Sequence, residues 1–256
     1  MKETWVIKIG SSLVTKSTTG LDIKNIRAWA AQINEIINNN IDVILVSSGA
    51  IAEGMNRLGL IKRPSSSSQL QALAAIGQMG LIKAYEVAFK KYNITTAQML
   101  LTAEDLSNRE RYLNARNTLS NLMNYGAIPI INENDTISTD EIKFGDNDTL
   151  AAMVSNLIDA DLMVILTNQK GLYDKNPDMH SDAILIKKCD IKNIDINEYD
   201  SNSKSNFGTG GFKTKLQAVK IASTSGTDTI VASGFESDVI TKIFDGDDIG
   251  TYFESD

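Results

Sequence analysis

The sequence predicts an α/β protein, a three-layer α/β/α sandwich around a largely parallel central sheet. Short β-rich runs alternate with longer helical stretches along the chain. Several of those runs are apolar at both parities, as strands covered on both faces must be. The 256 residues are 42% hydrophobic and 22% charged with only 3 Pro, a composition able to bury a sizeable core.

The first strand is expected at Trp5 to Ile9. A polar, hairpin-like excursion to Gly20 follows it. Asp22 reads as an N-cap, after which Ile23, Ile26, Ala30, Ile33 and Ile37 recur at helical spacing until Asn38, Asn39 and Asn40 end the pattern. Further strands fit Asp42 to Ser47, Ile94 to Leu100, Ile128 to Asn132, Leu162 to Thr167 and Thr229 to Ala232, with a last one near Thr251 to Glu254. Helices fit Gln69 to Lys91, Arg109 to Tyr125, Asp148 to Ile158 and Gly211 to Thr224. Pro64 and Ser65 to Ser68 form a short linker, expected as a loop over a site. The polar stretch from Lys170 to Asn206 predicts a small excursion with a strand near Ile184 to Lys187. The length allows one large domain or two small ones, and the βαβα order places ligands at the C-terminal ends of the strands.

Lys+Arg 25 against Asp+Glu 32 gives a net charge of -7, the wrong sign for a broad nucleic-acid surface. An anionic ligand must then be met by a few local cations. Cys189, the only cysteine, has no internal partner, and neither it nor the only histidine, His180, stands in a zinc-binding spacing. No signal-peptide pattern opens the chain and no apolar run approaches the ~20 residues that span a bilayer. A cytoplasmic protein without membrane or nucleic-acid partners is the expectation.

Polar or glycine-rich segments cluster just after the expected strands. Lys8 lies inside an apolar strand, where an ammonium is unfavourable unless an anion meets it. Gly10, Ser11 and Ser12 beyond it suit a phosphate-holding nest of amides, while a snorkelling lysine on an edge strand is the alternative. Gly10 to Ser17 misses the P-loop pattern because Thr15 stands at its second glycine, and no segment meets the dinucleotide fingerprint. Gly208 to Lys215 places three glycines before a helix whose first turn carries Lys213 and Lys215. Cations there oppose the helix dipole, which makes sense when a polyphosphate lies between loop and lysines. A solvated basic helix start is the alternative. Asp135, Asp146 and Asp148, near Asn134 and Asn147, suit Mg²⁺ or an amino group, with Asx-turn and capping roles as the other reading.

Taken in order, VIKIGSS, VSSGAIAEG, IPIINENDTIST, FGDNDTLAAM, LTNQKGLYDKNP and GTGGFKTKLQAVKIA resemble the amino acid kinase family over nearly the whole chain. Among its members they are most similar to those acting on glutamate. The resemblance implies transfer of the γ-phosphoryl group of ATP, with Mg²⁺, to the γ-carboxylate of L-glutamate, at the start of proline synthesis. It implies that Lys8 and Lys215 bracket the migrating group while Asp148 orients them, with the metal near it. Glutamate would lie against Ser48, Asp135 and Asn147. ATP would lie against Lys8, Thr167, Asn168 and the run Thr209, Gly210, Gly211, Phe212, Lys213, Thr214 and Lys215. The resemblance implies a single domain over residues 1–256, whose part before about residue 160 would mainly bind the acceptor and the part after it the nucleotide. A homo-oligomer with feedback inhibition by proline is also implied. Two departures are expected: Asn168 stands in place of the family's usual Asp, and with Asp256 as the last residue the resemblance is to a short form lacking the C-terminal PUA domain of many relatives. A sister kinase of N-acetylglutamate or aspartate, and a nucleotide-binding regulator that has lost catalysis, are the alternatives.

Overall fold

The computed structural model describes residues 2–16, 20–138, 147–175, 177, 179–194, 196 and 212–255. Ten strands alternate with helices among them. They are β1 Glu3–Ile9, β2 Thr15–Lys16, β3 Gly20–Leu21, β4 Ile41–Ser47, β5 Thr96–Leu101, β6 Ile128–Glu133, β7 Leu162–Thr167, β8 Lys188–Asp190, β9 Asp228–Ser233 and β10 Thr251–Glu254. Eight form one sheet in the order β5-β6-β4-β1-β7-β9-β10-β8, and β2 pairs with β3 as a small antiparallel hairpin. The sheet is parallel from β5 to β9; β10 runs antiparallel to β9 and carries β8 alongside it. The crossovers put helices on both faces, as parallel pairing requires.

One face is covered by α2 (Ile23–Asn38), α4 (Ser67–Lys90) and α9 (Val239–Phe244), the other by α6 (Arg109–Asn124), α7 (Asn147–Ile158) and α8 (Phe212–Ser223). The Asp22 carboxylate accepts from the Asn25 N–H at 3.2 Å and starts α2, whose Ile26, Trp29, Ala30, Ile33 and Ile36 are buried. Asn40, with φ 71, ends the turn after it and lets β4 begin at once. Alternation along β1 decides the placement of the site. Trp5, Ile7 and Ile9 enter the α2/α4 core, whereas Val6 enters the α7/α8 core, so Lys8 shares that second face.

Several elements differ from the sequence expectation. A one-turn α1 (Ser11–Val14) precedes the hairpin, and α3 (Ala50–Arg57) and α5 (Ala103–Ser107) are helices that periodicity did not predict, as is α9. Tight packing makes α3: a Cβ on Gly54 would stand 2.0 Å from the Leu73 carbonyl oxygen, and one on Gly77 would stand 1.8 Å from that of Ala50. The two helices therefore meet backbone to backbone, a contact that hydrophobic spacing does not encode. Ser66 is the N-cap of α4, and Ser67 and Ser68 belong to its first turn instead of to a loop. The strand expected near Ile184 to Lys187 appears as β8 just beyond it, with Leu185 making only an isolated bridge to Tyr173. Among the described residues no helix is long and apolar enough to cross a membrane.

Candidate active site

The strand ends line the site up along one edge of the sheet. β6 and β4 bring Asn132 and Ser48, β1 in the middle brings Lys8, and β7 on the far side brings Thr167. β1 is paired on both sides, by β4 and β7, which excludes an edge-strand lysine. Lys8 is buried, and its ammonium lies against Asp148 in the first turn of α7. Lys215, buried in the first turn of α8, reaches the other oxygen of the same carboxylate at 3.0 Å. One carboxylate thus holds two ammonium groups drawn from opposite ends of the sequence.

Asp148 is 1% exposed, and burial alone would raise its pKa. The charges of Lys8 and Lys215 outweigh that effect and hold the carboxyl down at about 2. The trio carries a formal net charge of +1 in a water-poor setting, so it attracts a further anion without being an exposed basic patch. Gly10 stands beside it: a Cβ there would lie 3.3 Å from the Leu166 carbonyl oxygen and 3.9 Å from the Lys8 ammonium nitrogen. The Gly10 N–H donates to Leu166 O at 3.1 Å. The amide nest expected at Gly10, Ser11 and Ser12 therefore lacks its first donor, which ties β1 to β7 instead.

Ser48 and Asn147 come together. The Asn147 Nδ2 group lies 2.8 Å from each of the Ser47 carbonyl oxygen, Ser48 Oγ and Asn132 Oδ1. It has two hydrogens for three acceptors. Asp135 sits half-buried in the turn 134–137 that leaves β6, where Ser138 N donates to Asn134 O at 3.1 Å. Thr167 is buried at the end of β7 and donates from Oγ1 to Asn168 Oδ1 at 3.2 Å, with Asn168 itself exposed. Phe212, Lys213 and Thr214 are half-buried in the first turn of α8, ahead of Lys215. Asp146, Thr209, Gly210 and Gly211 lie outside the described residues.

Sequence reasoning missed the residues behind this edge. Gln71, Gln78 and Tyr85 stand on one stripe of α4, and the last two are buried. Gln71 Nε2 donates to Ser138 O at 3.0 Å, Gln78 Oε1 accepts from Asn132 at 2.8 Å, and the Tyr85 and Ser47 hydroxyls are 3.0 Å apart. Burial pushes the Tyr85 phenol up, against the smaller lowering effect of Ser47, so it stays neutral. Their seven-residue spacing on an otherwise apolar face was the available signal.

Residues 3–233 match the profile of the amino acid kinase family. The chain belongs to the amino acid kinase family. Within it, the chain is 50% identical over 96% of its length to the glutamate 5-kinase of Methylococcus capsulatus, and 51% identical over 97% to that of Marinomonas sp.. It covers 66% and 67% of those two proteins, so it spans about two thirds of their length. Among solved structures it resembles the UMP kinase from Ureaplasma parvum, with a TM-score of 0.69, 16% identity and coverage of 100% of both chains. It also resembles the T. acidophilum isopentenyl phosphate kinase product complex, with a TM-score of 0.68, 19% identity and coverage of 98% and 100%. At such identities these two likenesses establish the family's fold.

Proposed function

We propose that this chain transfers the γ-phosphoryl group of ATP to the γ-carboxylate of L-glutamate, forming an acyl phosphate. The buried Lys8–Asp148–Lys215 trio between the Ser48 and Thr167 strand ends is the observation that carries this reading. The identity to curated glutamate 5-kinases supports the choice of acceptor.

The acceptor carboxylate is already ionised at neutral pH, so the reaction needs no general base, only alignment and charge compensation. Acceptor-side residues Ser48, Asp135 and Asn147 stand at or beyond β4 and β6, and nucleotide-side residues Thr167 and Asn168 at β7. Lys8 on β1 lies between them, where a group passing from one side to the other must cross. Lys8 and Lys215 would stabilise charge on the transferring oxygens, while Asp148 holds both ammonium groups in place and neutralises one of them. The Ser48 hydroxyl lies 2.8 Å from the Asn147 nitrogen, which has no lone pair to accept from it, and so keeps its own hydrogen to donate to a substrate carboxylate. Thr209 to Thr214 would meet the nucleotide phosphates. Residues before about 160 would mainly serve the acceptor, and those after it the nucleotide.

Mg²⁺ fits as an ion carried by the nucleotide. Both oxygens of Asp148 face lysines, and the described residues contain no group of three or more acidic, His or Cys side chains that could hold a metal. Its chemistry would be to offset phosphate charge. A cytoplasmic homo-oligomer inhibited by proline completes the proposal, supported by the family resemblance.

Hydroxylamine trapping tests the reading. Glutamate, ATP and Mg²⁺ should yield a hydroxamate, N-acetylglutamate should not, and chelation should abolish it. A product from N-acetylglutamate or aspartate in preference to glutamate would refute the acceptor.

A further inference from the structure

The polarity of three buried carboxamides can be read from their anchors. A backbone carbonyl only accepts, so the Asn147 atom 2.8 Å from Ser47 O must be the nitrogen. The Asn132 atom facing that nitrogen at 2.8 Å must then be oxygen, and the Glu133 N–H donating to it at 2.9 Å agrees. Asn132 therefore turns its own nitrogen toward α4, where Gln78 can meet it only with Oε1, at 2.8 Å. Two consequences follow. Gln78 Nε2 is a buried donor with no hydrogen-bond partner among the described residues. At the other end, Asn147 spends its nitrogen on the protein, so the atom it offers a ligand is the acceptor Oδ1, which suits an ammonium and not a carboxylate.

We infer that Gln78 is a positioning residue of the acceptor site: by holding Asn132 it keeps in place the second acceptor of the Asn147 amide, whose polarity the Ser47 carbonyl sets, so that Oδ1 is aimed to receive the α-ammonium of the amino acid. This inference rests on the proposed acceptor chemistry. Glutamine does this without a charge near an anionic substrate. Methionine in its place would leave the buried Asn132 nitrogen unpaired and let the Asn132 side chain draw away from Asn147, loosening one of the two bonds that aim Oδ1. Glutamate would still accept from Asn132, whether ionised or protonated. The flanking bonds of α4, Gln71 to Ser138 O and Tyr85 to Ser47, hold the helix in register with the relay.

Gln78→Met should raise the glutamate KM about tenfold or more while the ATP KM moves less than about twofold, and Gln78→Glu should recover most of that loss. A residue that only fills space would give the opposite order, because methionine keeps the volume and glutamate adds a charge. Methionine tolerated better than glutamate, or equal effects on both substrates, overturns the inference. A second variant covers failure to fold. In Asn132→Asp the relay closes when the Gln78 amide turns over and its unpaired nitrogen donates, so this change should be milder than its combination with Gln78→Glu, which sets two carboxyl groups face to face. The double variant should lose far more than the two singles together. Additive losses refute the relay. Wild-type protein that gives no hydroxamate refutes the functional reading alone. Urea midpoints of wild type, Gln78→Glu, Asn132→Asp and the double variant without substrate then decide the relay, since their coupling does not depend on the acceptor.

Discussion

Replacing Asp148 with asparagine keeps the shape of the carboxylate and removes its charge from between two buried ammonium groups. The structure sets the size of the effect. Asp148 has its pKa lowered from the usual 3.8 to about 2 by Lys8 and Lys215, despite a burial effect of the opposite sign. At 1.36 kcal/mol per unit, ionisation contributes about 2–3 kcal/mol to the folded state at neutral pH. Because the folded pKa is the lower one, that stability is present above the unfolded value near 3.8 and is lost as pH falls through about 2. Asparagine resembles the protonated acid, so Asp148→Asn should be about 2–3 kcal/mol less stable than wild type at pH 7, near the lower end of the ~3–5 kcal/mol seen when a buried pair is broken. For a chain of this size that is roughly 5–10 °C in Tm. Urea unfolding of both proteins at pH 7, 5 and 3 measures it, and the gap should narrow only below about pH 4 and approach zero near pH 2. A gap that is independent of pH, or below about 1 kcal/mol at pH 7, would refute the view that one carboxylate holds both lysines.

Lys215→Met should lower kcat by roughly 10²–10³, about 3–4 kcal/mol, with smaller changes in either KM, as read by steady-state hydroxamate formation. It should fold, because Asp148 keeps Lys8 and methionine refills the space; a kcat within about threefold of wild type would remove Lys215 from the transfer step. Asp135→Ala should raise the glutamate KM well above any change in the ATP KM, and equal shifts would place Asp135 in a structural turn. Gly77→Ala should cost about 3 kcal/mol or more in a urea melt, since its Cβ would stand 1.8 Å from the Ala50 carbonyl oxygen and 2.4 Å from the Gly54 nitrogen.

The sheet was legible in the chain because buried parallel strands are written locally: Trp5 to Ile9 and Leu162 to Thr167 are apolar at both parities, and such runs have few other ways to be covered. Asp22 as the cap of α2 was legible for the same reason, since a cap bonds to the N–H only three residues on. Lys8 declared itself by being a charge where none is tolerated alone. What answers that charge was not local. Asp148 and Lys215 reach it only through the pairing of β1 with β4 and β7 and the docking of α7 and α8 on that face. The amides of Gln78, Asn132 and Asn147 likewise have no fixed direction until the Ser47 carbonyl and the Glu133 N–H orient them. The short helix α3 exists because Gly54 and Gly77 let two backbones touch, and that contact forms between turns distant in the chain. Hydrophobic period and caps act over a few residues, so the sequence alone determined the strands, the long helices and the suspect lysines. Charge compensation, amide polarity and backbone contact act over a few ångströms between residues far apart in the chain, so only the tertiary structure decided how those lysines are held.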